Sequence, residues 1–486
     1  MKKQQGSNKV NSSDNYTIYI NPALNTFDAS TLGVWVRPIN VSVSGVADDN
    51  YLMSSTQSGL QALISIAEHY GYRYKIKYGA AKTKITVVGS EIDMDYYRDT
   101  TPWQMGGQTV KVVEDNDHLG QVVSGTRQEG KNIDERIKKG RGYLFSMLGP
   151  AFAYKCMLSP IVKMHLFRTF TCPIIRSGLS SFALRTQQMS PLSLFHRKVL
   201  KSFLHLSQTA PTPAIHFLLG ELPMEGKIHR DMFSLFYSVW NNPDTKIHQI
   251  VKYLLSTSSD NSRTWAINMR HIFQMYQLED PLSCLQKDAP EKSVFKETVM
   301  TKITAFHENE LRTKAKSNDL MQFMNVSLSG LRGRHHPCLS NIITTDEVKK
   351  LRPHIKLLTG DYLTYQRKFE ESNQGSPICR ICRLENESIC HIVAICPAYD
   401  MTRQRILKEI AELCLFARSY INIQDILSNP DRLTQFILDP TSFNLQTRVH
   451  VSDPITINLF KLSRDLCSSI HSERMNKLQL LSKNQI

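Results

Sequence analysis

Cys379-Arg380-Ile381-Cys382 is followed by His391 and Cys396, a Cys-x2-Cys-x8-His-x4-Cys spacing. No other feature limits so tightly what this chain can fold into. Zinc takes four soft or borderline ligands in a tetrahedron, and a Cys-x-x-Cys knuckle supplies two of them from one tight turn. A site closed by four protein ligands is structural, not catalytic. Cys390, beside His391, is a rival ligand, so the fourth position stays open. The alternative is a set of buried free thiols. The 10 cysteines are otherwise widely spread, which is not a secreted disulfide framework.

With 486 residues and 41% hydrophobic content, the chain can build two to four domains with real cores. Its formal net charge of +15 favours a polyanionic partner. Nucleic acid comes first and an anionic membrane surface second. The N-terminus, Met1-Lys2-Lys3-Gln4-Gln5-Gly6-Ser7, has charge but no apolar core, so no signal peptide is expected. No apolar run approaches the ~20 residues of a membrane span. The expected home is nuclear, cytoplasmic or both, without secretion and without a membrane partner.

A second motif lies near the other end. Val46-Ala47-Asp48-Asp49 sits between Val41-Ser42-Val43-Ser44-Gly45 and Asn50-Tyr51-Leu52-Met53. Alternating apolar and polar residues around a polar turn predict a β-hairpin with two carboxylates at its tip. Adjacent carboxylates repel unless a cation neutralises them. Two-metal phosphoryl-transfer enzymes use such pairs to hold Mg²⁺. The plain alternative is a solvated turn. Next, Leu60, Leu63, Ile64 and Ala67 predict one apolar helix face, with Ser55 or Thr56 as N-cap and Gly71 as the C′ stop. Strands are predicted at Tyr72–Ile76 and Ile85–Gly89, around a Gly79–Lys84 turn. Trp103-Gln104-Met105-Gly106-Gly107 and His118-Leu119-Gly120 follow.

That order resembles the second half of the palm of a non-LTR (LINE-like, jockey-type) retrotransposon reverse transcriptase. Ser376-Pro377-Ile378-Cys379 through Ile395-Cys396-Pro397 is similar to the CCHC segment that follows the polymerase region there. Leu357-Leu358-Thr359-Gly360 matches a tetrad usual upstream of it, and Tyr16–Leu24 resembles the helix after the nucleotide-selecting motif. The resemblance implies an α+β fold: a partial palm of antiparallel sheet plus helix, then a helical thumb and a helical C-terminal region with a zinc knuckle. By that resemblance Asp48 binds both metals, Mg²⁺ or Mn²⁺, and Asp49 supports it. Lys82 neutralises the incoming phosphates. His118, Leu119 and Gly120 contact the primer. Cys379, Cys382, His391 and Cys396 hold a structural zinc. RNA template and DNA primer or target are the implied partners.

Val46 stands where the family more often has an aromatic residue, and Gly79 where it often has Asn. The family's first palm strand with its Asp, its Gly-rich nucleotide-selecting motif and its fingers have no counterpart in these residues. Asp28 imitates the first motif but lies too close to Asp48, and is read as a loop residue. The implied catalytic site is therefore incomplete, and polymerase activity is expected to be lost.

The remaining boundaries follow composition and periodicity. Residues 1–14 are expected to be disordered, 15–125 to be the partial palm, and 126–209 a helical thumb-like region after a Gly125–Lys131 linker. In that region helices are predicted at Pro160–Phe170 and Leu194–Leu206. The second places Phe195, Val199 and Phe203 on one face and Arg197, Lys198 and Lys201 elsewhere. A basic face suits phosphate contacts. Residues 210–345 read as a helical connection ending in the basic loop Leu331–Pro337. Residues 346–410 carry the zinc segment and 411–486 a helical tail. Three functions fit: a fragment of an RNA-directed DNA polymerase, a non-enzymatic zinc-containing nucleic-acid-binding protein, or a zinc-stabilised helical interaction protein.

Overall fold

The computed structural model describes residues 12–46, 49–76, 78–89, 95–97, 103–152, 158–327, 330–416, 423–446 and 454–483. The fold is mixed α+β, mostly helical, with a few short strands. It divides into two units, each drawing on three separate stretches. The first takes residues 1–135, 178–188 and 232–292, and the second 136–177, 189–231 and 293–486.

In the first unit, helix α1 (Ser12–Ala29) packs on helix α2 (Gln57–Tyr74). Ile20, Ala23 and Phe27 of α1 meet Leu63, Ala67 and Tyr70 of α2, spacings that keep each triplet on one helical face. The adjoining face of α2 puts Ile64 into a second cluster with Ile85, Trp103, Met105 and Val110. The strands pair in twos rather than forming the single antiparallel sheet expected. Antiparallel pairs join β1 (Val34–Val36) to β2 (Ile39–Val41) and β3 (Val43–Val46) to β4 (Asp49–Leu52). Others join β6 (Gln104–Met105) to β7 (Gln108–Thr109) and β9 (Asp115–His118) to β10 (Gln121–Ser124). A parallel pair joins β5 (Lys84–Ile85) to β8 (Lys111–Val112).

Several expectations need correction. Gly71 does not end α2. The helix runs on to Tyr74 and stops at Lys75, whose φ of 58° gives the left-handed cap. Tyr72–Tyr74 are therefore helical, and the strand expected at Ile85–Gly89 shrinks to Lys84–Ile85. Asp28 is in the last turn of α1, not a loop, and pairs with Lys246 at 2.7 Å. Ser12–Asp14 already belong to α1, while residues 1–11 lie outside the described residues. The Gly125–Lys131 linker ends early, because a helix starts at Gln128.

The second unit is helical. Thr345–Leu358 packs along the 30-residue helix Pro454–Lys483, which also carries Asp400–Phe416. A capping box opens Thr345–Leu358. The Thr344 side chain accepts from the Glu347 N–H, and the Glu347 carboxylate accepts from the Thr344 N–H. The helix expected at Pro160–Phe170 is Pro160–Leu166 followed by a π-turn at Phe167–Thr171. The one expected at Leu194–Leu206 is Thr186–Phe203. Phe195, Val199 and Phe203 are buried as predicted, but so is Lys201, which donates to the Gln208 carbonyl at 2.6 Å. Lys201 therefore does not belong to an exposed basic face. In the Leu331–Pro337 loop, Arg332 is exposed and engages Glu297 at 3.1 Å and Thr301 at 2.6 Å. His336 is buried against Asp439 at 3.3 Å.

Candidate metal centre

The chain folds back on itself just before the first cysteine pair. Ile378 and Asn386 form an antiparallel bridge, and the Cys379 N–H donates to the Glu385 carbonyl at 2.8 Å. Between them the Cys379–Cys382 turn is closed by the Arg383 N–H on the Cys379 carbonyl at 2.9 Å. Arg383 takes a left-handed φ of 62°, which directs the chain out of the knuckle.

The other two donors come from a π-turn, His391–Ile395. The Cys396 N–H donates to the His391 carbonyl at 2.7 Å, an i→i+5 ring. That ring spaces His391 and Cys396 by one turn, so both reach the knuckle. The Ser388 hydroxyl accepts the His391 N–H at 2.9 Å and starts the turn.

The Sγ atoms of Cys379, Cys382 and Cys396 and a ring nitrogen of His391 all lie within 4.8 Å of one another. His391 Nε2 is the nitrogen that faces inward, 3.3 Å from Cys382 Sγ. Its Nδ1 faces the Glu385 carboxylate at 3.4 Å. A carboxylate on the outer nitrogen fixes the ring's orientation and raises its basicity as a ligand. Cys379, Cys396 and His391 are buried and Cys382 is partly exposed. Without a metal, bonds from Cys396 and His391 hold the Cys379 thiol far below its ordinary range, and the same contact pushes Cys396 up. Burial opposes a charged His391, but its bonds to Cys379 and Glu385 outweigh that and raise it. Four ligand atoms converge where a metal ion could sit.

Cys390 is not part of the group. Burial pushes its thiol up to about 11, and it bonds instead to the Thr434 and Asp431 side chains. The rivalry for the fourth position is settled by geometry, since consecutive residues on a helical turn point about 100° apart.

Sequence reasoning missed three supporting residues. Glu385 orients His391. Arg403 donates to the Val393 and Cys396 carbonyls, both at 2.9 Å, and so holds the end of the π-turn. Glu387, wholly buried, accepts from Arg474 at 2.6 and 3.0 Å and from the Tyr365 N–H at 2.9 Å. Glu387 and Arg474 anchor the segment to the helix Pro454–Lys483. Nothing in their spacing marks them, because charged residues in those runs read as ordinary surface.

The residues singled out near the N-terminus are more dispersed. Asp48 lies outside the described residues. Asp49 opens β4, exposed and paired opposite Val46, so a hairpin forms here with Asp49 on its second strand. Lys82 is exposed in the Gly79–Lys82 turn, its N–H on the Gly79 carbonyl at 2.9 Å. Among the described residues, no ion pair links Lys82 to Asp49. Leu119 and Gly120, with φ of 49° and 75°, form the two-residue turn between β9 and β10. The His118 ring lies 5.1 Å from the Tyr51 ring, which puts the β9–β10 hairpin beside the β3–β4 hairpin.

No family model matches the chain, and no curated protein does.

Proposed function

We propose that the chain is a nucleic-acid-binding protein with a structural zinc centre, derived from a non-LTR retrotransposon reverse transcriptase. The observation that carries the reading is the convergence of Cys379, Cys382, His391 and Cys396. Zn–S bonds of about 2.3 Å in a tetrahedron set ligand atoms roughly 3.8 Å apart. A span of 4.8 Å therefore needs only a small contraction to close on zinc. Three thiolates and an imidazole suit zinc over Mg²⁺ or Ca²⁺, which take oxygen ligands. The formal charge of +15 supports a polyanionic partner, RNA template or DNA.

The test is metal content together with binding. The purified chain should hold one zinc per molecule, and Cys396→Ser should lose it while Cys390→Ser keeps it. Binding to single-stranded RNA should weaken with salt by about 0.7 in log K per phosphate contacted, for each decade of salt. A chain that binds RNA weakly and without salt dependence, zinc still bound, would leave only a zinc-stabilised interaction protein.

The contact between Tyr51 and His118 favours a second, more specific reading, in which residues 15–125 are part of a polymerase palm. The hairpin that carries Asp49 and the hairpin that carries His118 are neighbours, which supports that reading. Its catalytic set would be Asp48, Asp49 and Lys82 with Mg²⁺ or Mn²⁺, lacking a first-strand Asp. The 486-residue chain by itself is expected not to extend a DNA primer on an RNA template. RNA binding should survive Asp48→Ala/Asp49→Ala. Extension that disappears in that double variant would instead identify a working polymerase.

A further inference from the structure

Thr101, Ser159, Ser190, Thr212 and Ser376 each stand directly before a proline. A hydroxyl followed by proline is the minimal mark that a proline-directed protein kinase reads. Proline has no N–H, so it suits a pocket that offers no acceptor there, where any other residue would leave a donor unpaired. Such a kinase also needs its target exposed and outside regular structure, so that the chain can lie extended in the cleft.

The structure separates these positions. Ser159 is only 7% exposed, and its hydroxyl accepts from the Val162 N–H at 3.3 Å as the N-cap of Pro160–Leu166. Ser190 lies within the helix Thr186–Phe203. Thr212 opens the helix Thr212–Leu219, between the buried Pro211 and Pro213. Thr101 lies outside the described residues. Ser376 differs from the other three described. It sits in an irregular stretch, and every residue from Glu370 to Ser376 is exposed. A Cβ built on Gly375 would meet nothing within 4 Å, so that side is open to approach. The far end of the stretch is fixed. The Pro377 carbonyl accepts the Glu387 N–H at 2.8 Å, and Ile378 bridges Asn386. The Ser376 hydroxyl accepts from the Ile378 N–H at 3.3 Å, which leaves the oxygen a second lone pair.

We propose that Ser376 is a phosphorylation site for a proline-directed serine/threonine kinase that uses ATP. Ser376 Oγ forms a bond to the γ-phosphorus as the bond from that phosphorus to the bridging oxygen breaks. ADP leaves, and the hydroxyl proton passes to the kinase's base. The phosphoserine carries about −1.5 to −2 charge at neutral pH. It lies just ahead of the Cys379–Cys382 turn, whose Arg380 and Arg383 are exposed. Negative charge there opposes the attraction of those cations for a nucleic-acid backbone. That consequence rests on the nucleic-acid reading above, and the modification itself does not.

The test incubates the full chain, supplied with zinc, with ATP and a purified proline-directed kinase. Peptide mass spectrometry then follows each site separately. Ser376 should be labelled at least about tenfold faster than Ser159, Ser190 or Thr212, and Pro377→Ala should slow its labelling about tenfold. That variant keeps the carbonyl that Glu387 bonds, so the knuckle should still fold, and its zinc content checks this. An unlabelled Ser376 would overturn the proposal, as would labelling indifferent to Pro377→Ala. Equal labelling of Ser159 and Ser190 would overturn it too, because exposure would then not select the site. The phosphorylated chain should bind a single-stranded RNA oligonucleotide about threefold more weakly at fixed salt. Unchanged RNA affinity would overturn the charge effect and leave the phosphorylation site standing. A labelled Ser376 with no RNA binding by either form would sink the nucleic-acid reading alone.

Discussion

Glu387 shows how much of the candidate centre depends on a residue outside its ligand set. Its carboxylate is wholly buried and doubly bonded to Arg474, itself only 6% exposed. Removing one member of such a pair leaves the other charge buried and uncompensated, at about 3–5 kcal/mol. Glu387→Ala should lower the urea-unfolding free energy of the zinc-loaded chain by that amount. Glu387→Leu combined with Arg474→Met should recover most of it, because two matched apolar side chains carry no desolvation cost. A single variant as stable as wild type would show that water reaches Arg474. Arg383 supplies a second residue-scale prediction. A non-glycine residue in the left-handed region costs about 1–2 kcal/mol, and Arg383 is exposed at φ 62°. Arg383→Gly should therefore stabilise the segment, by up to about 1 kcal/mol once the extra freedom of glycine in the unfolded chain is counted. A lower urea midpoint would mean that the Arg383 side chain matters more than its backbone. The four candidate ligands were legible in the sequence because coordinating a metal ion would restrict both residue type and spacing. Glu385, Arg403 and Glu387 were not, because a hydrogen bond between distant residues imposes no spacing.

At the scale of elements, the α2 helix shows where local signals succeed and where they fail. Thr56 was legible as its N-cap. The Thr56 side chain accepts the Gly59 N–H at 3.1 Å, and Thr56→Ala should cost about 1 kcal/mol. Gly71 looked like a stop because glycine is common just past helix ends. In fact it is an interior residue selected by packing. A Cβ there would lie 2.6 Å from the Ile76 carbonyl oxygen and 3.2 Å from the Tyr78 ring. Glycine to alanine inside a helix ordinarily gains about 1 kcal/mol. At Gly71 the sign should reverse, with a loss of about 1–3 kcal/mol from overpacking. Thermal unfolding followed by circular dichroism checks both variants. A more stable Gly71→Ala chain would show that the turn to Ile76 yields easily. The strands were only partly legible for a related reason. Two-residue ladders such as Lys84–Ile85 are fixed by tertiary pairing, here parallel to Lys111–Val112, and alternation over so short a run carries little information.

At the scale of the molecule, the two units should respond differently to acid. The second unit buries His216, His229, His307 and His354, each at most 2% exposed. Burial is the largest cause that lowers all four, His216 and His229 to about 3 and His307 and His354 to about 4. In the unfolded chain each titrates near 6.5. Between about pH 6.5 and the lowered values the unfolded chain binds more protons, so stability falls as pH falls. Each histidine adds a slope of at most about 1.4 kcal/mol per pH unit. His336 acts in the opposite sense and in another window. Burial alone would lower it, but Cys338 and Asp439 outweigh burial and raise it to about 10. Its contribution is fully present below about pH 6.5 and is lost as pH rises towards about 10, so it adds no slope in acid. Hydrogen exchange followed by mass spectrometry should therefore show the second unit losing protection between about pH 6.5 and about pH 4, ahead of the first. Zinc release would begin in the same range, since protons compete for His391 and the thiolates. The two events separate in Cys396→Ser, which should lack zinc yet keep the histidine-driven transition. If that variant loses the transition too, acid acts through the metal centre and the buried histidines contribute little.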